Sequence, residues 1–117
     1  MREIVWAAMA AATMLVGAAS ADAKDWTGTT ALRSGDYVAA TKLMQRAHQV
    51  NPEDTVLTLN LAMAYRHTGR LAAARALYRD VLAAPDTELM MDATHSAGAH
   101  AIAAAGMDLI GSDVASR

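Results

Sequence analysis

The chain has 117 residues, a formal net charge of −2 and no cysteine. That length holds one domain with a modest core, and the near-neutral charge excludes a strong field for nucleic acid or an anionic membrane. The missing thiols exclude a disulfide framework, thiolate metal sites, thiol catalysis and a lipidated N-terminal cysteine.

Residues 1–21 differ in composition from everything that follows. Arg2 and the α-amino group make a short positive start, and Ile4 to Ala19 is an uncharged apolar run. Ala19-Ser20-Ala21 fits the small-x-small rule for signal peptidase, with Asp22 as the new N-terminus. The expectation is a cleaved signal peptide and a periplasmic or secreted product. The alternative is an uncleaved inner-membrane anchor, for which the run of 16 uncharged residues is short against the about 20 a span requires.

Phe is absent and β-branched runs are scarce, so the remainder reads as all-α. Asp22 to Thr30 is polar, and the first helix is expected to begin near Asp25, with Trp26 packing at its outer end. Gly35-Asp36 makes a turn, and Tyr37 to Val50 the second helix. Asn51-Pro52-Glu53-Asp54 closes that hairpin, with Asp54 a candidate cap for the next helix. From Leu57 to Tyr65, Leu57, Leu61, Ala64 and Tyr65 recur at helical spacing. Leu71, Ala74, Leu77, Tyr78 and Leu82 do so after a turn at Gly69. Both turn glycines stand where a helix C-terminus requires φ > 0. Pro85 stops the fourth helix. Asp86-Thr87-Glu88 repeats the start signal, which predicts a fifth helix from about Thr87 to Ala105, with Gly106 and Gly111 marking its decay.

A shift of 34 residues superposes the two hairpins: Gly35 falls on Gly69, Ala39 on Ala73, Ala40 on Ala74, Leu43 on Leu77, and Met44 on Tyr78. A 34-residue period of helix-turn-helix units is that of tetratricopeptide repeats. Residues from about Lys24 to Glu88 resemble two such repeats. In the second copy Leu61, Ala62 and Tyr65 match the family's large-small-x-x-aromatic pattern, and Ala74 and Tyr78 its Ala-x3-aromatic pattern. In the first copy Gly35-Asp36-Tyr37, Ala40, Met44, Ala47 and Pro52 match. The family's early Trp falls on Lys24 and Thr58, Ala31 replaces its Tyr, and Pro85 comes one residue early.

The expected architecture is therefore a short α-solenoid: a leader over 1–21, repeats over about 22–54 and 55–88, a capping helix over 89–110 and a tail over 111–117. Small residues at Ala40 and Ala74 let the helices of a hairpin approach, and Tyr65 and Tyr78 fill the space between repeats. The capping helix carries only Asp92 and Asp108 as charges between Leu89 and Ile110. Two repeats are few for a solenoid, so this helix is expected to be a tolerated Ala-rich cap or a surface for self-association or docking.

The resemblance implies a concave face that binds a peptide or a partner's helix. In the second repeat this face would show Val56, Leu59, Asn60, Met63, Arg66 and His67. Asn60 resembles an asparagine of family members that clamp a C-terminal carboxylate. The other clamp positions fall on Asp25, Thr29, Ala93 and Ala97, so that clamp is not formed. Lys42, Arg46, Arg75 and Arg79 make i, i+4 pairs of like charge on the outer helix faces, either simply solvated or a patch for acidic surfaces.

No catalytic site is expected. His48, His67, His95 and His100 form no H-x3-H pair, and there is no HExxH, phosphate loop or serine elbow. Met44 and Met63 read as core, which leaves no cofactor or metal site and ranks a metal carrier last. The expected function is an exported interaction scaffold that brings an envelope partner into an assembly, such as a pilus or secretion system. The alternative is a membrane-anchored structural subunit.

Overall fold

The computed structural model describes residues 29–115. The expected leader, the start of the first helix near Asp25, and Trp26 lie outside them. Among the described residues five helices follow in chain order: α1 (Thr29–Arg33), α2 (Tyr37–Val50), α3 (Thr55–His67), α4 (Leu71–Ala83) and α5 (Ala99–Ala115). Between the last two lies a two-stranded antiparallel hairpin, β1 (Glu88–Met90) and β2 (Ser96–Gly98).

The first four helices form two consecutive helix pairs, and the turn inside each pair is built alike. Gly35 and Gly69 both adopt φ +82°. Gly35 N donates to Leu32 O and Asp36 N to Ala31 O; Gly69 N donates to Arg66 O and Arg70 N to Tyr65 O. A bond spanning five residues around a left-handed glycine is the Schellman closure, which satisfies carbonyls the helix end leaves open. Every donor and acceptor recurs 34 positions later, so the repeat is written in backbone bonds as well as in side chains. The starts are less alike. Asp36 accepts from Ala39 N and Asp54 from Leu57 N, each at 3.1 Å. Arg70 caps α4 with no side-chain bond.

Each helix buries most of the stripe its periodicity predicts. α2 buries Ala40, Thr41, Met44 and Ala47 along one stripe and leaves its other face to water. α4 buries Ala74, Leu77, Tyr78 and Val81, whereas Leu82, expected on the same stripe, is 38% exposed. α3 buries every residue from Leu57 to Ala64, because α2, α4 and α5 all pack against it. Ala40, Met44, Ala62 and Ala74 are wholly buried and Leu61 nearly so, as the repeat-packing pattern requires. Thr58, which replaces the family's early Trp, is buried with its hydroxyl donating to Asp54 O.

Residues 87–98 do not begin the fifth helix. Asp92 takes up the backbone N–H of Thr94 at 2.8 Å and of His95 at 2.9 Å on one carboxylate oxygen. That local turn competes with helix and reverses the chain, so Leu89 faces Ala97 and Met90 faces Ser96. The start signal at Asp86 is real but acts at a distance. Its carboxylate accepts from His100 N at 2.9 Å, and Thr87 O accepts from Ala99 N at 2.7 Å, so residues before the hairpin cap the helix after it. Gly106 and Gly111 do not end α5, which continues to Ala115. Ala99, Ile102, Ala103, Gly106 and Ile110 form its buried stripe.

Candidate functional site

α3 is the element shared by every candidate surface, and its two sides differ. One side carries the six residues expected to meet a partner. Leu59, Asn60 and Met63 are buried there, at 3%, 1% and 3% exposure. Val56 and Arg66 are half-buried, and His67 is exposed. The six therefore do not form one open face.

Arg66 and His67 are engaged within the fold. Arg66 Nη1 pairs with Asp113 of α5 at 3.3 Å, with its side chain only 10% exposed. Sequence spacing of 47 residues hides this pair from any local reading. The His67 ring stacks on Tyr37 with centroids 4.2 Å apart and planes 6° from parallel. Partial burial lowers the His67 pKa below its usual value, and neighbouring Arg66 lowers it further, while Asp113 opposes both. Tyr78 lies beneath this group. Its burial raises the phenol pKa to about 12, although Arg66 pulls the other way. The charge at the end of α3 thus ties the second helix pair to α5 rather than standing free.

The opposite side of α3 opens onto α2. At about 100° per residue, Leu61 and Tyr65 point away from Met63 and Arg66. With Lys42, Gln45, Arg46, His48 and Gln49 of α2 they line a cleft of 580 Å³. Gln45 Nε2 donates to the Tyr65 hydroxyl at 2.9 Å across it. The Arg70 guanidinium sits 4.5 Å above the Tyr65 ring. The repeat pattern places Tyr65 in the packing between repeats and Lys42 and Arg46 on the outer face. Their convergence on one cleft, with two glutamines, follows from α2 and α3 lying side by side. The i, i+4 spacing of Gln45 and Gln49 was the available signal.

Among the described residues no three His, Cys, Asp or Glu side chains gather to hold a metal, and no helix is long and apolar enough to cross a membrane. His95 and Asp92 pair within the hairpin turn at 2.9 Å. His100 Nε2 donates to Ala84 O.

The family model for the tetratricopeptide repeat matches residues 31–92, a little over half of the 117-residue chain. The chain belongs to the tetratricopeptide repeat family. No curated protein and no solved structure matches it significantly. The tetratricopeptide match takes in both Schellman turns and ends inside the Asp92 turn, so α5 lies beyond it. Tetratricopeptide repeats bind other proteins and are typically non-catalytic scaffolds. In this chain, α5 occupies the place on α3 and α4 that the first helix of a following repeat would take.

Proposed function

We propose that this tetratricopeptide repeat protein is an exported scaffold that holds an envelope partner in a larger assembly, of which a pilus or secretion system is an example. Family membership carries the reading, through two helix pairs closed by equivalent glycine turns. Export is supported by the composition of residues 1–21 and by Ala19-Ser20-Ala21. With Leu59, Asn60 and Met63 buried, the partner contact proposed on this side of α3 is limited to the half-buried Val56 and the exposed His67.

The test is photo-crosslinking in the producing cell from a probe at Val56, with mass spectrometry of the adduct. A discrete envelope protein is the expected product. Capture of the same chain alone would replace the scaffold reading with self-association. Absence of any adduct would overturn it. The uncharged run from Ile4 to Ala19 supports a second reading, a membrane-anchored subunit. Intact mass decides between them: a chain beginning at Asp22 supports export with cleavage, and a full-length chain in the membrane fraction supports the anchor.

A further inference from the structure

The α2–α3 cleft lies on the other side of α3 from the proposed partner face, and its chemistry is one-sided. Lys42 and Arg46 stand at its rim, both exposed. α2 contains no Asp or Glu, and neither cation has a carboxylate within salt-bridge distance among the described residues. The lining of the cleft contains no acid, and beside Lys42, Arg46 and Tyr65 its one further ionisable group is the half-buried His48. Two like charges one helical turn apart repel, and a bound anion would relieve that repulsion.

The remaining groups suit a peptide backbone. Gln45 and Gln49 offer both amide donors and carbonyl acceptors, one turn apart along the cleft. Tyr65 accepts from Gln45, which leaves its own hydroxyl proton for a ligand, since no acceptor takes it among the described residues. Leu61, only 2% exposed, supplies an apolar floor.

Spacing decides which peptide. Lys42 and Arg46 are separated by about 6 Å along the helix axis. In an extended strand, side chains two residues apart point the same way and are separated by roughly 6.5 Å. We propose that the α2–α3 cleft binds an extended acidic segment of a protein partner, with carboxylates at alternate positions meeting Lys42 and Arg46 while Gln45, Gln49 and Tyr65 hydrogen-bond its backbone. This site is independent of export and of what occupies the other side of α3.

The experiment is a fluorescence-anisotropy titration of the chain with a labelled peptide of alternating serine and glutamate, beside its glutamine analogue. Lys42→Gln/Arg46→Gln removes two charges at the cleft, and Arg75→Gln/Arg79→Gln removes two on α4. The net charge of the two variants is equal, so the comparison separates a site from a field. Circular dichroism melting verifies that both are folded.

The expected result is a loss of about tenfold in affinity for the cleft variant and less than about twofold for the α4 variant, the scale of two charge-assisted contacts. The glutamine peptide should be weaker by a similar factor, and binding should fall as salt rises. Equal losses in the two variants would overturn the proposal, as would equal binding of the two peptides or no binding by the unaltered chain. Photo-crosslinking from Val56 reads the other side of α3, so either result can fail without the other.

Discussion

Gly106 of α5 lies directly against the ring of Tyr78 on α4. A methyl group at Gly106 would stand 2.7 Å from Tyr78 Cε2, 2.5 Å from Cε1 and closer still to Cζ. The glycine is a seat for an aromatic side chain that is 4% exposed, and through it α5 is joined to the second repeat.

Gly106→Ala should therefore destabilise the protein. The substitution favours helix by about 1 kcal/mol, but overpacking against a buried ring costs about 1–3 kcal/mol, and the rigid ring is closed in by Arg66 and the core. Gly111, on the same helix, has nothing within 4 Å of an added methyl. Gly111→Ala should raise the melting temperature, by the gain of roughly 0.5–1 kcal/mol expected for an interior helix position. Urea melts of the two variants should move in opposite directions.

Ala74 is fully buried in the helix of the second repeat that packs against both α3 and α5. Ala74→Leu inserts three carbons where no space exists and should cost about 1–3 kcal/mol. An unchanged thermal midpoint would contradict the close approach assigned to this position.

The two turn glycines should tolerate change unequally by residue type. With φ at +82° and nothing within 4 Å of an added methyl, the penalty at Gly69 is backbone strain alone. Gly69→Ala should cost about 1–2 kcal/mol, and Gly69→Asn less, because asparagine enters the left-handed region more readily. Equal stability of the two variants, read from chemical denaturation, would contradict a left-handed turn.

Acid should act first on the hairpin. Hydrogen bonds from Thr94 N, then from His95, hold the Asp92 pKa down to about 2 from an ordinary 3.8, and the N–H of His100 lowers that of Asp86. A carboxylate with a lowered folded pKa contributes stability that is complete above its unfolded pKa and disappears as pH falls through the folded value. The contribution of Asp92 should therefore be intact above about pH 4 and fade towards pH 2. Asp92→Asn should flatten that part of the stability–pH curve, as measured by hydrogen exchange at Met91 and His95.

Much of the fold was legible in the order of residues. Helix ends at Gly35, Gly69 and Pro85, the cap at Asp54, the buried stripe of α2 and the Ala74, Leu77 and Tyr78 part of that of α4 are local features, set by backbone freedom, capping and period. Their recurrence at 34 residues was enough to reveal the repeat family. The functional surfaces were less legible. Asn60 and Met63 sit at positions the family exposes to partners, yet here they are buried, and burial is a property of what packs on a helix rather than of its own sequence.

Two helix pairs with equivalent turns follow from the order of residues alone, because short-range hydrogen bonds and hydrophobic period act within one or two helical turns. The remaining features depend on long-range packing. Asp86 caps a helix 14 residues away, Asp113 reaches Arg66 across 47, and Gly106 is explained only by Tyr78. Each of these contacts is made between segments that the chain brings together only once the core has packed, so neither partner carries a local sign of the other.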